Sequence, residues 1–158
     1  MKLLVLSDTH RRIDDALNVV KTTKNLDYII HLGDLAADAK RLSEMLRRDV
    51  ISVKGNCDGD FSERNYKILE AECGRILLIH GHKQYVKSGL GNLYYRTMEL
   101  NCVAAFFGHT HVAEIVAESG ITLINPGSIG EPRPGALPSY VIAETDKKEI
   151  SASVKYIG

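Results

Sequence analysis

The sequence predicts an α/β fold in which two sheets pack face to face with helices on the outside. Three observations predict it. Over the first fifty or so residues, β runs alternate with stretches of helical periodicity, which implies parallel strands joined by right-handed crossovers. Further along, β runs dominate and are joined by short turn signals. The helical stretches are apolar on one face only, so each has one side to bury.

Lys2 to Leu6 is a short β run that ends at Ser7-Asp8-Thr9-His10. Ile13, Ala16, Leu17 and Val20 then recur at helical spacing, with Asp14 and Asp15 where the first turn of a helix favours negative charge. Tyr28-Ile29-Ile30-His31-Leu32-Gly33-Asp34 is an apolar strand that runs into a glycine and then a lone carboxylate. The glycine permits a sharp turn, and the carboxylate projects from a rigid element, the placement a precise site needs. Leu35, Ala39, Leu42, Met45 and Leu46 predict a second helix, and Asp49 to Val53 a third strand closed by Gly55-Asn56-Cys57-Asp58-Gly59.

Tyr66 to Ala71 and Arg75 to Ile79 read as strands around Cys73-Gly74, the second ending at His80-Gly81-His82. Ser88 is placed to cap a helix carrying Leu90, Leu93, Tyr94 and Met98. Cys102 to Phe107 is a strand that ends at Gly108-His109-Thr110-His111. Val112 to Glu118 and Ile121 to Ile124 form a hairpin through Ser119-Gly120. Asn125-Pro126-Gly127-Ser128 is a turn, and Pro132-Arg133-Pro134-Gly135 a rigid loop. Ser139 to Glu144 and Ile150 to Tyr156 close the chain as an antiparallel pair.

A length of 158 residues fits one domain, 1–158, with a substantial core. The net charge is zero and basic residues cluster only in pairs such as Arg11-Arg12. A protein that holds nucleic acid through its phosphates carries a basic excess, so no stable nucleic-acid partner is expected. The opening apolar run meets Ser7-Asp8 too early for a signal peptide, and no stretch approaches a membrane span. Cys57, Cys73 and Cys102 are an odd set without paired spacing and predict no disulfide framework. A cytoplasmic protein is the expectation, with a homo-oligomer open.

Five β runs each end in metal-capable side chains: Asp8/His10, Asp34, Asn56, His80 and His109/His111. Sites gather beyond the carboxyl ends of parallel strands, so these clusters are expected to meet at one edge. Imidazole with carboxylate suits Mn, Fe, Co, Ni or Zn. Seven donors exceed the four of a tetrahedral zinc site and suit two ions that share a bridging carboxylate and water, a pair that would clamp a transferring phosphoryl group. Each residue alone has a plainer reading: Asp8 as a helix cap, Asn56 as a turn former, His80 as a packed core histidine, His109 and His111 as loop residues. The residues alone do not divide the seven donors between two ions.

The order Asp-x-His, Gly-Asp, Gly-Asn-x-Asp, His, Gly-His-x-His resembles the calcineurin-like metallophosphoesterase superfamily. The short chain, the Gly-Asn-Cys-Asp form and the Asn-Pro-Gly-Ser turn are most similar to its compact YfcE-like phosphodiesterase branch. The resemblance runs from Lys2 to about Ser128. It implies a four-layer α-β-β-α sandwich of two mixed sheets, and it implies that Asp8, His10 and His111 hold one ion and Asn56, His80 and His109 the other, with Asp34 bridging. It further implies hydrolysis of a phosphodiester bond by a metal-bridging hydroxide, with manganese first among the ions and nickel, cobalt, iron or zinc as substitutes. Asp34, Asn56, His109 and Cys57 are the residues expected at the chemistry, and a small phosphodiester or nucleotide-like compound is the expected substrate.

Much of the superfamily has histidine after the motif asparagine; here that position is Cys57, a weak hydrogen-bond donor. Weak phosphomonoesterase activity is therefore expected beside diester hydrolysis. The resemblance extends to a retromer subunit that uses this fold as an interaction platform, so a metal-binding scaffold is the alternative. His31 reads as a packed group behind the site. His82 reads as a substrate contact or a solvated loop residue, and Arg133 as a phosphate grip or a surface arginine. The loops around Ser62 to Asn65 and Lys83 to Gly89 carry no readable signature.

Overall fold

A computed structural model describes residues 1–59 and 64–158; of the loop from Ser62 to Asn65, the first two residues lie outside that description. The elements run β1 (Lys2–Leu6), α1 (Ile13–Thr22), β2 (Tyr28–His31), α2 (Ala36–Leu46), β3 (Ile51–Ser52), β4 (Tyr66–Ala71), β5 (Gly74–Ile79), a 3-10 turn (His82–Gln84), α3 (Gly91–Glu99), β6 (Ala104–Phe106), β7 (Ala113–Glu118), β8 (Ile121–Pro126), β9 (Ser139–Thr145) and β10 (Ile150–Tyr156). They build two five-stranded mixed sheets, one in the order β10-β9-β1-β2-β3 and the other β4-β5-β6-β8-β7.

Alternation along single strands makes the layers. Leu3 and Val5 face the second sheet, where they pack with Ile76, Leu78, Ala104, Phe106 and Ile124. Leu4 and Leu6 face the opposite way and cover Ala16, Val19, Val20 and Leu42 of α1 and α2. In the second sheet Leu77, Ile79 and Ala105 turn outward onto Leu93 of α3. Both faces of the central strands are thereby buried, and the order helix, sheet, sheet, helix follows. Phe106 is wholly buried between the sheets; truncating such a side chain to alanine costs ~3–5 kcal/mol.

Pairing direction decides where the strand ends fall. β1, β2 and β3 are parallel, and so are β5, β6 and β8. The carboxyl ends of each set therefore lie together at one edge of their sheet. β9, β10, β4 and β7 are antiparallel additions.

Several expectations need revising in detail. Ser88 does not cap α3: Leu90 holds the N-cap without a side-chain bond, and the Ser88 N–H is used in a turn onto the Tyr85 carbonyl. Met45 and Met98, expected on buried helix faces, are exposed. β3, at the edge of its sheet beside β2, keeps only Ile51 and Ser52 in strand pairing. Cys57, Cys73 and Cys102 are free. Among the described residues no helix is long and apolar enough to cross a membrane.

Candidate metal centre

Five candidate donors sit in left-handed backbone immediately beyond a strand: Asp8 (φ 51°), His10 (42°), Asp34 (53°), His109 (68°) and His111 (61°). Non-glycine residues rarely adopt this region, and such strain collects at functional sites. It is held by tight packing between loops. Gly108 passes so close to Ser7 and Asp8 that a Cβ there would overlap the Ser7 hydroxyl and approach Asp8 Oδ2 to 2.9 Å. At Gly55 a Cβ would overlap the backbone and carboxylate of Asp34.

Hydrogen bonds complete the frame. Oδ2 of the buried Asp8 accepts from the Ser7 hydroxyl at 2.5 Å and from the His109 backbone N–H at 3.2 Å, which ties the β1 loop to the β6 loop. Asn125, buried at the end of β8, donates to the Gly108 carbonyl and the Thr110 hydroxyl, both at 3.0 Å, and accepts from the Gly127 N–H. Ser128 donates to the Asp8 carbonyl at 2.8 Å. Asp58 accepts from the Gly55 N–H and, at the amino end of α2, from the Ala36 N–H.

The seven predicted donors come together at the edge where the two sheets meet. Ligand atoms of Asp8, His10, Asp34 and His111 all lie within 4.8 Å of one another, as do those of Asp34, His80 and His109. Asp34 belongs to both groups. Asn56 joins the second through its Oδ1, 3.0 Å from Nε2 of His80.

Two imidazoles have their orientation fixed from behind. Nδ1–H of His80 donates to the Leu32 carbonyl at 2.7 Å, and Nδ1–H of His111 donates to the Glu131 carbonyl at 2.6 Å. A carbonyl only accepts, so in the neutral rings Nε2 carries the lone pair; metal-binding histidines are held in this way. Nε2 of His80 then faces two oxygens, those of Asn56 at 3.0 Å and Asp34 at 3.4 Å. Nε2 of His111 lies 3.1 Å from Oδ1 of Asp8. Among the described residues, Oδ1 of Asp8 and Nε2 of His10 are buried without a hydrogen-bond partner. Lone pairs that converge on lone pairs need a cation between them, a proton on the ring or a metal ion, and this donor set fits a borderline divalent ion.

Charge shifts follow the same geometry. Burial opposes ionisation of Asp34, but His80 and the Cys57 N–H outweigh it and hold the carboxyl well below the usual range. Burial likewise opposes protonation of His80, and the Asp34 and Asp8 carboxylates reverse this and raise its pKa. The Asp8 carboxylate raises His111. Burial, then His80, lowers His109 to about 4. Burial together with Asp34 pushes the exposed Cys57 thiol up to about 11, so it is a thiol and not a thiolate at neutral pH.

His31 is buried behind the site in a line of hydrogen bonds. The Thr9 hydroxyl donates to Asp38 at 2.7 Å, leaving its oxygen to accept from Nε2 of His31 at 3.0 Å. Asp38 also accepts from the Arg11 N–H, and burial lowers the pKa of His31. His82 lies beside the cluster, its ring 5.4 Å from that of His80 and 6.1 Å from that of His109. Arg133 donates through Nε to the carbonyl of Thr110, the residue between His109 and His111. Asp38, Asp58, Asn125 and Ser7 were not marked as site-building in the sequence, since their partners are distant along the chain. Ser7 stands beside a motif residue, and Asp58 and Asn125 belong to the Gly-Asn-x-Asp and Asn-Pro-Gly-Ser stretches, which hint at their place but not at their partners.

A two-sheet sandwich that gathers these donors along one edge is the scaffold of a metal-dependent phosphoester hydrolase. The chain belongs to the calcineurin-like phosphoesterase superfamily, whose domain model matches residues 1–148. It is similar to the probable metallophosphoesterase YsnB of Bacillus subtilis, at 36% identity over 90% of this chain and 83% of that one. It is also similar to the phosphodiesterase YfcE of Escherichia coli K12, at 27% identity over 96% and 92%. Among solved structures, a predicted phosphoesterase of Streptococcus pneumoniae superposes with a TM-score of 0.84 at 26% identity, over 98% of this chain and 88% of that one. A zinc complex of Vps29 from Entamoeba histolytica gives 0.77 at 23% identity over 99% and 98%, a likeness of fold alone. The protein is thus a metallophosphoesterase with a site for divalent metal.

Proposed function

We propose that the protein is a phosphodiesterase that works with two divalent ions, manganese first, on small phosphodiesters. The observation that carries this reading is the membership of Asp34 in both donor groups. Asp8, His10 and His111 would hold one ion, Asn56, His80 and His109 the other, and Asp34 both. Bound there, paired ions lower the pKa of water and neutralise charge on a transferring phosphoryl group.

The chain's own residues do the rest. The Leu32 and Glu131 carbonyls keep the rings of His80 and His111 in the productive orientation. Arg133, anchored through Nε, has the two remaining guanidinium nitrogens to grip a phosphoryl oxygen in a fork. Cys57, beside Asn56 and Asp34, is a weak hydrogen-bond donor and gives a poor leaving group little assistance. Diesters with good leaving groups are therefore the preferred substrates, and monoesters are poor ones. The zero net charge of the chain supports small substrates over a standing nucleic-acid partner.

The test is to add Mn or Ni to metal-free protein and follow an activated aryl phosphodiester. Metal-dependent turnover that Asp34→Asn abolishes supports the proposal. Metal binding without turnover on any diester would instead favour the scaffold reading. A full set of seven competent donors argues against that alternative, because a scaffold has no need of them.

A further inference from the structure

Beside the His80 and His109 half of the centre lies a cavity of about 240 Å³, lined among others by Asn65, Tyr66, Ile79, His82, Gln84 and Arg96. Strand register puts it at the same edge as the donors: Tyr66, at the start of β4, pairs with Ile79 at the end of β5, one residue before His80. His82 belongs to both places, because it lines the cavity while its ring packs against those of His80 and His109. A molecule held at the donors through its phosphate has this cavity as a neighbour.

We infer that the cavity is the subsite for a nucleobase, so that the substrate is a nucleotide diester with its base lodged between Tyr66 and Gln84. The inference rests on the phosphodiesterase reading and names its substrate class. The volume lies below the roughly 300–1,000 Å³ of pockets that enclose whole drug-sized ligands, so it takes one base and not a dinucleotide. Its wall is flat and stiff. Tyr66 carries the Arg96 guanidinium over its ring, 5.4 Å from the centroid, and Arg96 is pinned by Glu99 at 2.6 Å. Aromatic and guanidinium planes are the surfaces on which bases stack.

The polar groups suit a base edge as well. Asn65 and Gln84 each carry an amide that both donates and accepts, as a base edge does. Among the described residues, Nδ1 of His82 and Oε1 of Gln84 are buried without a hydrogen-bond partner. A base edge offers donors and acceptors to match the amides of Asn65 and Gln84, whereas an aliphatic leaving group offers none. None of these groups belongs to the donor set of the metal centre.

The experiment compares AMP with ribose 5-phosphate, which share a phosphate and a ribose and differ in the base. Both are titrated calorimetrically into the Mn-loaded protein, then into Gln84→Ala and Tyr66→Leu, with circular dichroism as the check on folding. The expected result is at least tenfold tighter binding of AMP, an advantage each variant reduces while leaving ribose 5-phosphate affinity unchanged. Equal affinity for the two compounds overturns the inference, as does an AMP advantage that survives in both variants. The readout separates this inference from the one beneath it. Base-dependent binding without hydrolysis of any diester would retain the subsite and remove the phosphodiesterase; diester hydrolysis without base dependence would do the reverse.

Discussion

Nε2 of His80 lies 3.4 Å from Oδ1 of Asp34, and the other nitrogen of the same ring donates to the Leu32 carbonyl two residues before that aspartate. His80 ends a strand of one sheet and Asp34 follows a strand of the other. One imidazole thus spans the gap between the sheets and presents its remaining lone pair to the shared carboxylate. Removing it should affect the site more than the fold. His80→Ala is expected to lose diester turnover and to lower the bound metal per chain, as read by elemental analysis, while circular dichroism shows the sheets intact.

Ser7 tests the support behind the donors. Its hydroxyl donates to Asp8 Oδ2 at 2.5 Å, which fixes the carboxylate so that Oδ1 points at the site. Losing a partner of this kind typically weakens metal binding by ~10–100-fold. Ser7→Ala should show that weakening in a competitive chelator titration, with little change in melting temperature. An unchanged affinity would mean that backbone donation from His109 suffices.

At Gly55 the expected penalty falls on the fold itself. A Cβ there meets the backbone and carboxylate of Asp34, and neither can retreat without moving the centre. Overpacking of this sort costs about 1–3 kcal/mol. Gly55→Ala should lower the urea midpoint correspondingly and lose metal binding, whereas Gly59→Ala, where a Cβ meets none of the described residues but the backbone has a positive φ of 53°, should disturb stability through backbone strain.

Cys57 bears on substrate choice. A thiol is a weak hydrogen-bond donor, so it offers a leaving group little assistance. Cys57→His is expected to raise monoester hydrolysis relative to diester hydrolysis under Mn; an unchanged ratio would remove Cys57 from the explanation.

Away from the centre, Glu72 makes an acid-stability prediction. Its carboxylate accepts from the Thr145 hydroxyl at 2.6 Å and from the terminal ammonium at 3.1 Å, and the Thr145 bond leads in lowering its pKa from 4.5 to about 2. A depressed carboxyl pKa favours the fold above the unfolded value, and that contribution is lost as pH falls from about 4.5 toward about 2. Glu72→Gln should flatten the pH dependence of stability within that window. The effect is small because the group is exposed, and urea titrations at pH 5 and pH 3 measure it.

How much of this was legible in the chain follows from the reach of each interaction. Asp8, Asp34, His80, His109 and His111 stood out because they follow apolar runs directly, and parallel pairing sends such ends to one edge. The layers were legible because Leu3 and Val5 alternate with Leu4 and Leu6. Ser88 misled because a serine before an apolar helix looks like a cap wherever it stands; here a turn on Tyr85 uses its backbone first. The partners of Asp58, Asp38 and Asn125 were opaque for the opposite reason. Asp58 reaches back to Ala36, Asp38 to Thr9 and Arg11, and Asn125 to Gly108 and Thr110, and no local pattern marks partners brought together only by the fold.

The central claim is that two cations share the Asp34 carboxylate, and anomalous diffraction from crystals soaked in manganese tests it most directly. The account predicts two anomalous peaks flanking Asp34, one among Asp8, His10 and His111 and the other among Asn56, His80 and His109. A single peak that leaves one group empty, or peaks away from Asp34, would contradict it.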